Sequence, residues 1–215
     1  MLEAVFLMLP ALTAVIYQEL HCILVFLGSA VFCLAAGALL RGKKPENTTI
    51  FSAEGYVSVA FCWVALSLCG ALPLYFSGSF PNPVDALFEI VSGFTTTGSS
   101  VLLDVESVHR AVLIWRSFSH WVGGMGILVF ILAFIPNKGN GTIVHLMKAE
   151  SPGPNVSKLV PKIRYTAAIL YAIYFGMTLI QIILLLISKM PLFDTLCITF
   201  GTAGTGGFSI KSDGC

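Results

Sequence analysis

Charge is scarce in this chain. Asp, Glu, Lys and Arg make up 11% of its 215 residues, against about 25% in a soluble domain. The few charges nearly cancel, 12 basic against 11 acidic, so no global field points to nucleic acid or to an acidic substrate. Paired cysteines are missing too. Cys22, Cys33, Cys62, Cys69, Cys197 and Cys215 include no Cys-x-x-Cys, and five of them lie in apolar segments, where they read as small buried hydrophobes. His21, His109, His120 and His145 show no metal-ligand spacing. With no activated nucleophile, paired catalytic carboxylates or metal cluster, no enzyme is expected. The amino-terminal run lacks a basic n-region and an Ala-x-Ala site, so it does not read as a signal peptide.

Apolar residues are abundant instead, at 56% of the chain with a mean hydropathy of +0.88. Several runs approach the ~20 residues needed to cross a bilayer. The composition therefore predicts an all-α integral membrane protein, in contact with lipid on its outer faces. Five spans are expected: Leu2 to Tyr17 (short, with Pro10 inside it), Cys22 to Leu40, Ile50 to Phe76 with a break at Pro73, Ala111 to Ile135, and Tyr165 to Ile187.

Two further apolar segments are too short to cross. Val84 to Val91 opens onto Ser92-Gly93-Phe94-Thr95-Thr96-Thr97-Gly98-Ser99-Ser100, and Pro191 to Phe200 opens onto Gly201-Thr202-Ala203-Gly204-Thr205-Gly206-Gly207-Phe208. A half-length helix that stops in a polar Gly/Thr loop reads as re-entrant, because irregular backbone at membrane depth survives only where it lines a wet cavity or is buried in protein. Such a loop can line a narrow opening with backbone carbonyls, which replace the water shell of a potassium ion. The expectation is an ion selectivity filter. The two segments align without a gap at a separation of 109 residues, with Asp85 on Asp194, Leu87 on Leu196, Thr96 on Thr205 and Gly98 on Gly207. Asp85 and Asp194 fall at the amino ends of the short helices, where a carboxylate caps the first turn and complements the helix dipole.

Other readings weigh less. A phosphate-cradling loop at 201–207 would need a Gly-Lys-Ser/Thr ending and a preceding strand. Close helix packing suits Gly123, Gly124 and Gly126 but not 95–100. Arg116 would cost about 2.5–3.5 kcal/mol at mid-bilayer; snorkelling to the outer interface is expected at least as much as a role in tuning a pore. Glu89 is expected to bond behind the filter rather than to touch ions, and His120 and Trp121 to pack. Eight of the 12 basic residues fall near 41–44 or in 138–164, so the loops 41–49 and 137–164 are predicted cytoplasmic and both filters enter from outside.

The stretches FEIVSGFTTTGSSVL (88–102), WRSFSHWVGGMGILVF (115–130), AESPGP (149–154) and FGTAGTGGFS (200–209) resemble the Trk/Ktr superfamily of potassium transporters, most of all its TrkH/TrkG-type membrane subunits. The resemblance covers essentially the whole chain. It implies a leading helix pair followed by four span–pore–span repeats, of which this sequence matches the pair, the first repeat and the second through its filter. The corresponding division is 1–44 for the leading hairpin, 45–136 for the first repeat, 137–164 for a cytoplasmic loop and 165–215 for an incomplete second repeat.

The resemblance further implies that Thr96 and Thr97, with Thr205 and Gly206, offer potassium-coordinating carbonyls, supported by Thr95, Gly98, Ser99, Gly207 and Phe208. Glycine rather than serine at position 98 goes with potassium over sodium. It implies potassium uptake across the plasma (inner) membrane, a homodimer, and a cytosolic nucleotide-binding regulatory ring of the TrkA type, with no cofactor beyond the transported potassium ion. Two filter strands cannot enclose an ion. The chain is therefore expected to be part of a longer protein, and the alternative is a non-conducting assembly module that needs a partner to complete the pore.

Overall fold

A computed structural model describes residues 1–40, 52–126 and 160–211, and everything regular in them is helical. The loop predicted at 41–49, and 137–159 of the predicted loop 137–164, lie outside the described residues. So does the stretch 127–135 of the fourth predicted span.

The first predicted span is two helices, α1 (Leu2–Phe6) and α2 (Met8–Ile16). Pro10 explains the division: it has no N–H to donate to the Phe6 carbonyl and its ring crowds that carbonyl. Helix α3 (Leu20–Leu39) has no proline and runs for 20 residues, about 30 Å at 1.5 Å per residue. Its buried residues, Cys22, Phe26, Ser29, Ala30 and Cys33, form one helical stripe, which packs on α1 and α2.

Helix α4 (Ser52–Phe76) continues through Pro73, so the predicted break does not occur there. Only the carbonyl of Cys69 loses its donor to the proline, and the helix ends three residues later, where Gly78 takes φ +78°. Two short helices follow the predicted re-entrant segments, α5 (Pro83–Phe94) and, near the end of the chain, α8 (Leu192–Ala203). Each runs three residues beyond its predicted end. Between them lie α6 (Arg110–Gly124) and α7 (Val160–Ile187). Helix α7 starts five residues before the predicted Tyr165, so 160–164 is helix rather than loop; Pro161 is tolerated because the first turn needs no amide donor.

Among the described residues, three helical segments are long and apolar enough to cross a membrane: Leu20–Leu39, Val57–Phe76 and Ala168–Ile187. Most of each is uncovered by protein, with 28%, 22% and 11% of its residues buried. Leu24, Val31, Phe61, Val64, Ile180 and Leu184 are among the large apolar side chains left outside, as expected of surfaces that face lipid or further protein.

By contacts the chain divides into two compact units. The first comprises Met1–Gly42, Leu66–Gly124 and Thr178–Cys215, the second Lys43–Ala65 and Met125–Met177. In the first, α6 is the centre, buried at every position from Ala111 to Val122 and packed against α2, α5 and α8. Around it Phe118 stacks on Trp121, Phe6 and Phe200 meet Phe118 edge-on, and Phe94 meets Trp115 edge-on. In the second, the Tyr171 hydroxyl donates to the Met125 carbonyl at 3.0 Å.

Candidate functional site

The two short helices repeat each other in length and position. Each has 12 residues, and Leu192–Ala203 is Pro83–Phe94 displaced by 109 positions. Their carboxyl ends close with the same three backbone bonds. The amides of Thr95, Thr96 and Thr97 donate to the carbonyls of Val91, Gly93 and Ser92 at 2.9, 3.0 and 2.9 Å. Those of Gly204, Thr205 and Gly206 donate to Phe200, Thr202 and Gly201 at 3.1, 3.0 and 2.9 Å. The left-handed residues that follow also coincide: φ is +55° at Thr96 and +56° at Thr205, then +76° at Gly98 and +84° at Gly207.

A threonine with positive φ is an outlier that costs about 1–3 kcal/mol and lasts only where its surroundings over-determine it. Both threonines carry the same strain at the same step. Glycine avoids that strain two residues later. The helix ends are therefore bent into one defined loop shape twice, although between 95–99 and 204–208 only Thr96/Thr205 and Gly98/Gly207 are identical.

The loops adjoin. A Cβ built on Gly98 would collide with the carbonyl oxygen of Gly206, so the two backbones approach closer than any side chain allows. Of the residues predicted to form the filter, Thr95, Thr97, Thr205 and Gly207 are exposed, and Thr96, Gly98 and Gly206 half-buried. The Thr95 hydroxyl donates to the Val91 carbonyl at 2.7 Å and lies 2.8 Å from the Thr97 hydroxyl. The carbonyl of Ser99 accepts from the Ser92 hydroxyl at 2.6 Å. Phe208 is buried, its ring 4.1 Å from that of His120 and 4.3 Å from the Arg116 guanidinium.

Helix α6 holds both loops from behind. A Cβ on Gly123 would strike the Phe94 carbonyl, one on Gly93 the Ser119 hydroxyl, one on Gly204 the His120 carbonyl, and one on Gly206 the His120 ring. Glycine at these places lets α6 press directly on the backbone from which the loops spring. Trp115 fixes it from the other side by donating its indole N–H to the Gly70 carbonyl at 3.0 Å.

A buried ion pair completes the support. The Arg116 Nε donates to Glu89 Oε1 at 2.7 Å, and both side chains are almost wholly buried. The Ser100 hydroxyl donates to Glu89 Oε1 at 2.8 Å and accepts from Arg116 Nη2 at 3.0 Å, and the Val101 amide donates to Glu89 Oε2 at 3.0 Å. Glu89 thus bonds the segment leaving the first loop, where a role behind the loop was expected. Arg116 corrects the snorkelling expectation: at 2% exposed it points inward, bridging Glu89 and the Phe208 ring. Its partner lies 27 positions away, and the legible signal was only that two lone ionisable residues in apolar helices require one another.

The capping expected of Asp85 falls to Asn82, whose Oδ1 accepts from the Val84 amide at 3.1 Å, with Pro83 in the first helical position. Asp85 and Asp194 both occupy the third helical position. There each still complements the dipole, and Asp194, half-buried, lies 3.9 Å from the exposed Lys211, a long solvent-screened pair worth little. A cavity of about 440 Å³ lies at this end of the unit, lined by polar and charged side chains that include Glu19, Glu106, His109, Arg110, Asp194 and Lys211. The backing by His120 had no signal in the sequence, since a lone histidine in an apolar run reads as packing.

Apolar spans and a twice-folded helix–loop against one central helix define a multi-pass helical membrane protein with an internal repeat. Residues 23–214 match the family TrkH, described as cation transport protein, and the chain belongs to that family. It is 38% identical over 205 residues to the Trk system potassium uptake protein TrkH of Salmonella typhimurium, covering 94% of this chain and 42% of the relative. It is 34% identical over 207 residues to the Trk system potassium uptake protein TrkG of Escherichia coli, covering 95% and 42%. The crystal structure of the potassium transporter TrkH from Vibrio parahaemolyticus matches with a TM-score of 0.77 and 29% identity, covering 98% of this chain and 42% of that one. The chain thus spans about two-fifths of the length of these relatives.

Proposed function

We propose that the chain forms part of a potassium uptake pathway, with the loops at 95–99 and 204–208 as two adjoining quarters of a selectivity filter. The observation that carries this reading is the twofold loop geometry, with its matched left-handed Thr96 and Thr205 and the contact of Gly98 with the Gly206 backbone. The relatives' names, Trk system potassium uptake proteins, support potassium as the ion. Carbonyls of Thr96, Thr97, Thr205 and Gly206 coordinate it in this account. Helices α5 and α8 act as pore helices, their carboxyl ends adding partial negative charge towards the ion, and α1–α2, α3, α4, α6 and α7 mark the five spans.

In the same account the filters face outside, the loops 41–49 and 137–164 face the cytoplasm at the inner membrane, and the charged cavity beside Asp194 is the ion entrance. A homodimer and a cytosolic nucleotide-binding ring of the TrkA type are its partners, and no cofactor takes part. A second reading rests on the 42% coverage: two filter quarters need further repeats or a partner chain before they enclose an ion.

A chimera tests the function. Residues 1–215 replace the matching portion of the Escherichia coli relative, and rubidium-tracer uptake is measured in cells lacking their own potassium uptake systems. Uptake by the chimera and none by residues 1–215 alone is the expected pattern. A correctly inserted chimera without uptake overturns the reading.

A further inference from the structure

Glu89 has Arg116; Glu3, deeply buried as well, has no salt bridge among the described residues, and the charge that acts on it is the amino-terminal ammonium. Glu3, in the first turn of α1, is 5% exposed; its Oε1 is left without a hydrogen bond, and the Cys69 thiol lies in reach of the carboxylate. A carboxylate at such a place costs several kcal/mol unless something neutralises it. Two thiols face it. Cys33 of α3, itself buried, and Cys69 of α4 bring their sulfurs to the carboxylate, so that one Glu3 oxygen and both Sγ atoms lie within 4.8 Å of one another.

Two sulfurs and a carboxylate oxygen are the soft-to-borderline donor set that suits Zn²⁺. Zinc bonds of about 2.3 Å to sulfur and 2.0–2.2 Å to oxygen place tetrahedral ligands roughly 3.5–4 Å apart, which is inside the 4.8 Å within which these donors lie. We propose that Glu3, Cys33 and Cys69 bind a thiophilic divalent cation, with Zn²⁺ the best match, which staples α1 to α3 and α4.

The position gives such a staple a consequence. Gly70, next to Cys69, is where α4 meets its neighbours: a Cβ there would lie 3.0 Å from Glu3 Oε1 and 3.1 Å from the Phe94 ring. Its carbonyl also receives the Trp115 indole. An ion at Cys69 therefore stiffens the wall behind α5 and α6. A second trio, Glu19, Cys22 and His109, is equally close but has no such need. Both Glu19 oxygens already accept backbone amides, from Arg110 at 2.8 Å and Ala111 at 3.1 Å. A cation there would face the Arg110 guanidinium and the positive end of α6.

The test is metal analysis of the protein purified from zinc-supplemented cells, with zinc-edge X-ray absorption on the same sample. The expected result is one zinc per chain with two sulfur neighbours at about 2.3 Å. Cys33→Ser, Cys69→Ser and Glu3→Gln should each retain at least tenfold less zinc, and Cys22→Ser should retain it all. A zinc-free wild-type protein overturns the proposal, as does a shell of nitrogen and oxygen alone or zinc that follows Cys22. Should a variant fail to fold, the wild-type shell decides.

Discussion

Gly98 rests against Gly206 so closely that a Cβ on Gly98 would strike the Gly206 carbonyl oxygen. Gly98 also has φ +76°. Gly98→Ala therefore meets two penalties, about 1–2 kcal/mol for the left-handed conformation and about 1–3 kcal/mol for overpacking. Gly28→Ala is the control: nothing lies within 4 Å of its Cβ, and alanine improves the helix by roughly 0.5–1 kcal/mol. Thermal unfolding in detergent should show a lowered midpoint for the first and an unchanged or raised midpoint for the second.

Arg116→Leu leaves Glu89 buried without its cation, which costs about 3–5 kcal/mol. Removing both charges, as Arg116→Leu with Glu89→Leu, should recover a large part of that loss. Arg116→Lys should not rescue, because a lysine lacks the planar fork that joins Glu89 and Ser100 while stacking on Phe208. A double-mutant cycle on unfolding midpoints checks this; additive effects would contradict the coupling.

Gly206 and His120 form another coupled pair, since a Cβ on Gly206 would run into the imidazole ring. Gly206→Ala should be harmful alone and less harmful when His120 is already alanine. The sign of the interaction energy is the readout, and an equal effect of Gly206→Ala in both backgrounds would show that the ring does not set the loop.

Much of this arrangement was legible in the residues because it is written in local chemistry. Long apolar runs without charge mark the segments long enough to cross a membrane, and α5 starts at Pro83, one residue before the expected Val84. Thr96 and Gly98, matched by Thr205 and Gly207, revealed the repeat. Other features depended on contacts between distant segments. Ser92-Gly93-Phe94 read as loop by propensity but is helix, because α6 packs on Gly93 and Phe94 and overrides the preference. The Glu89–Arg116 pair, the His120 backing of Gly206 and the convergence of Glu3, Cys33 and Cys69 join segments whose spacing carries no periodic signal. Asp85 looked like a cap because its charge suits a helix start, but Asn82 already held the capping position.

Ion selection is proposed to lie in the loop at 95–99. It is tested most directly by Gly98→Ser in the chimera, with the potassium-to-sodium permeability ratio measured across a planar bilayer or a patch. The account predicts a lowered ratio, because the serine Cβ pushes the first loop away from the Gly206 carbonyl and loosens the ring of oxygens. A conducting Gly98→Ser chimera whose ratio is unchanged would contradict it.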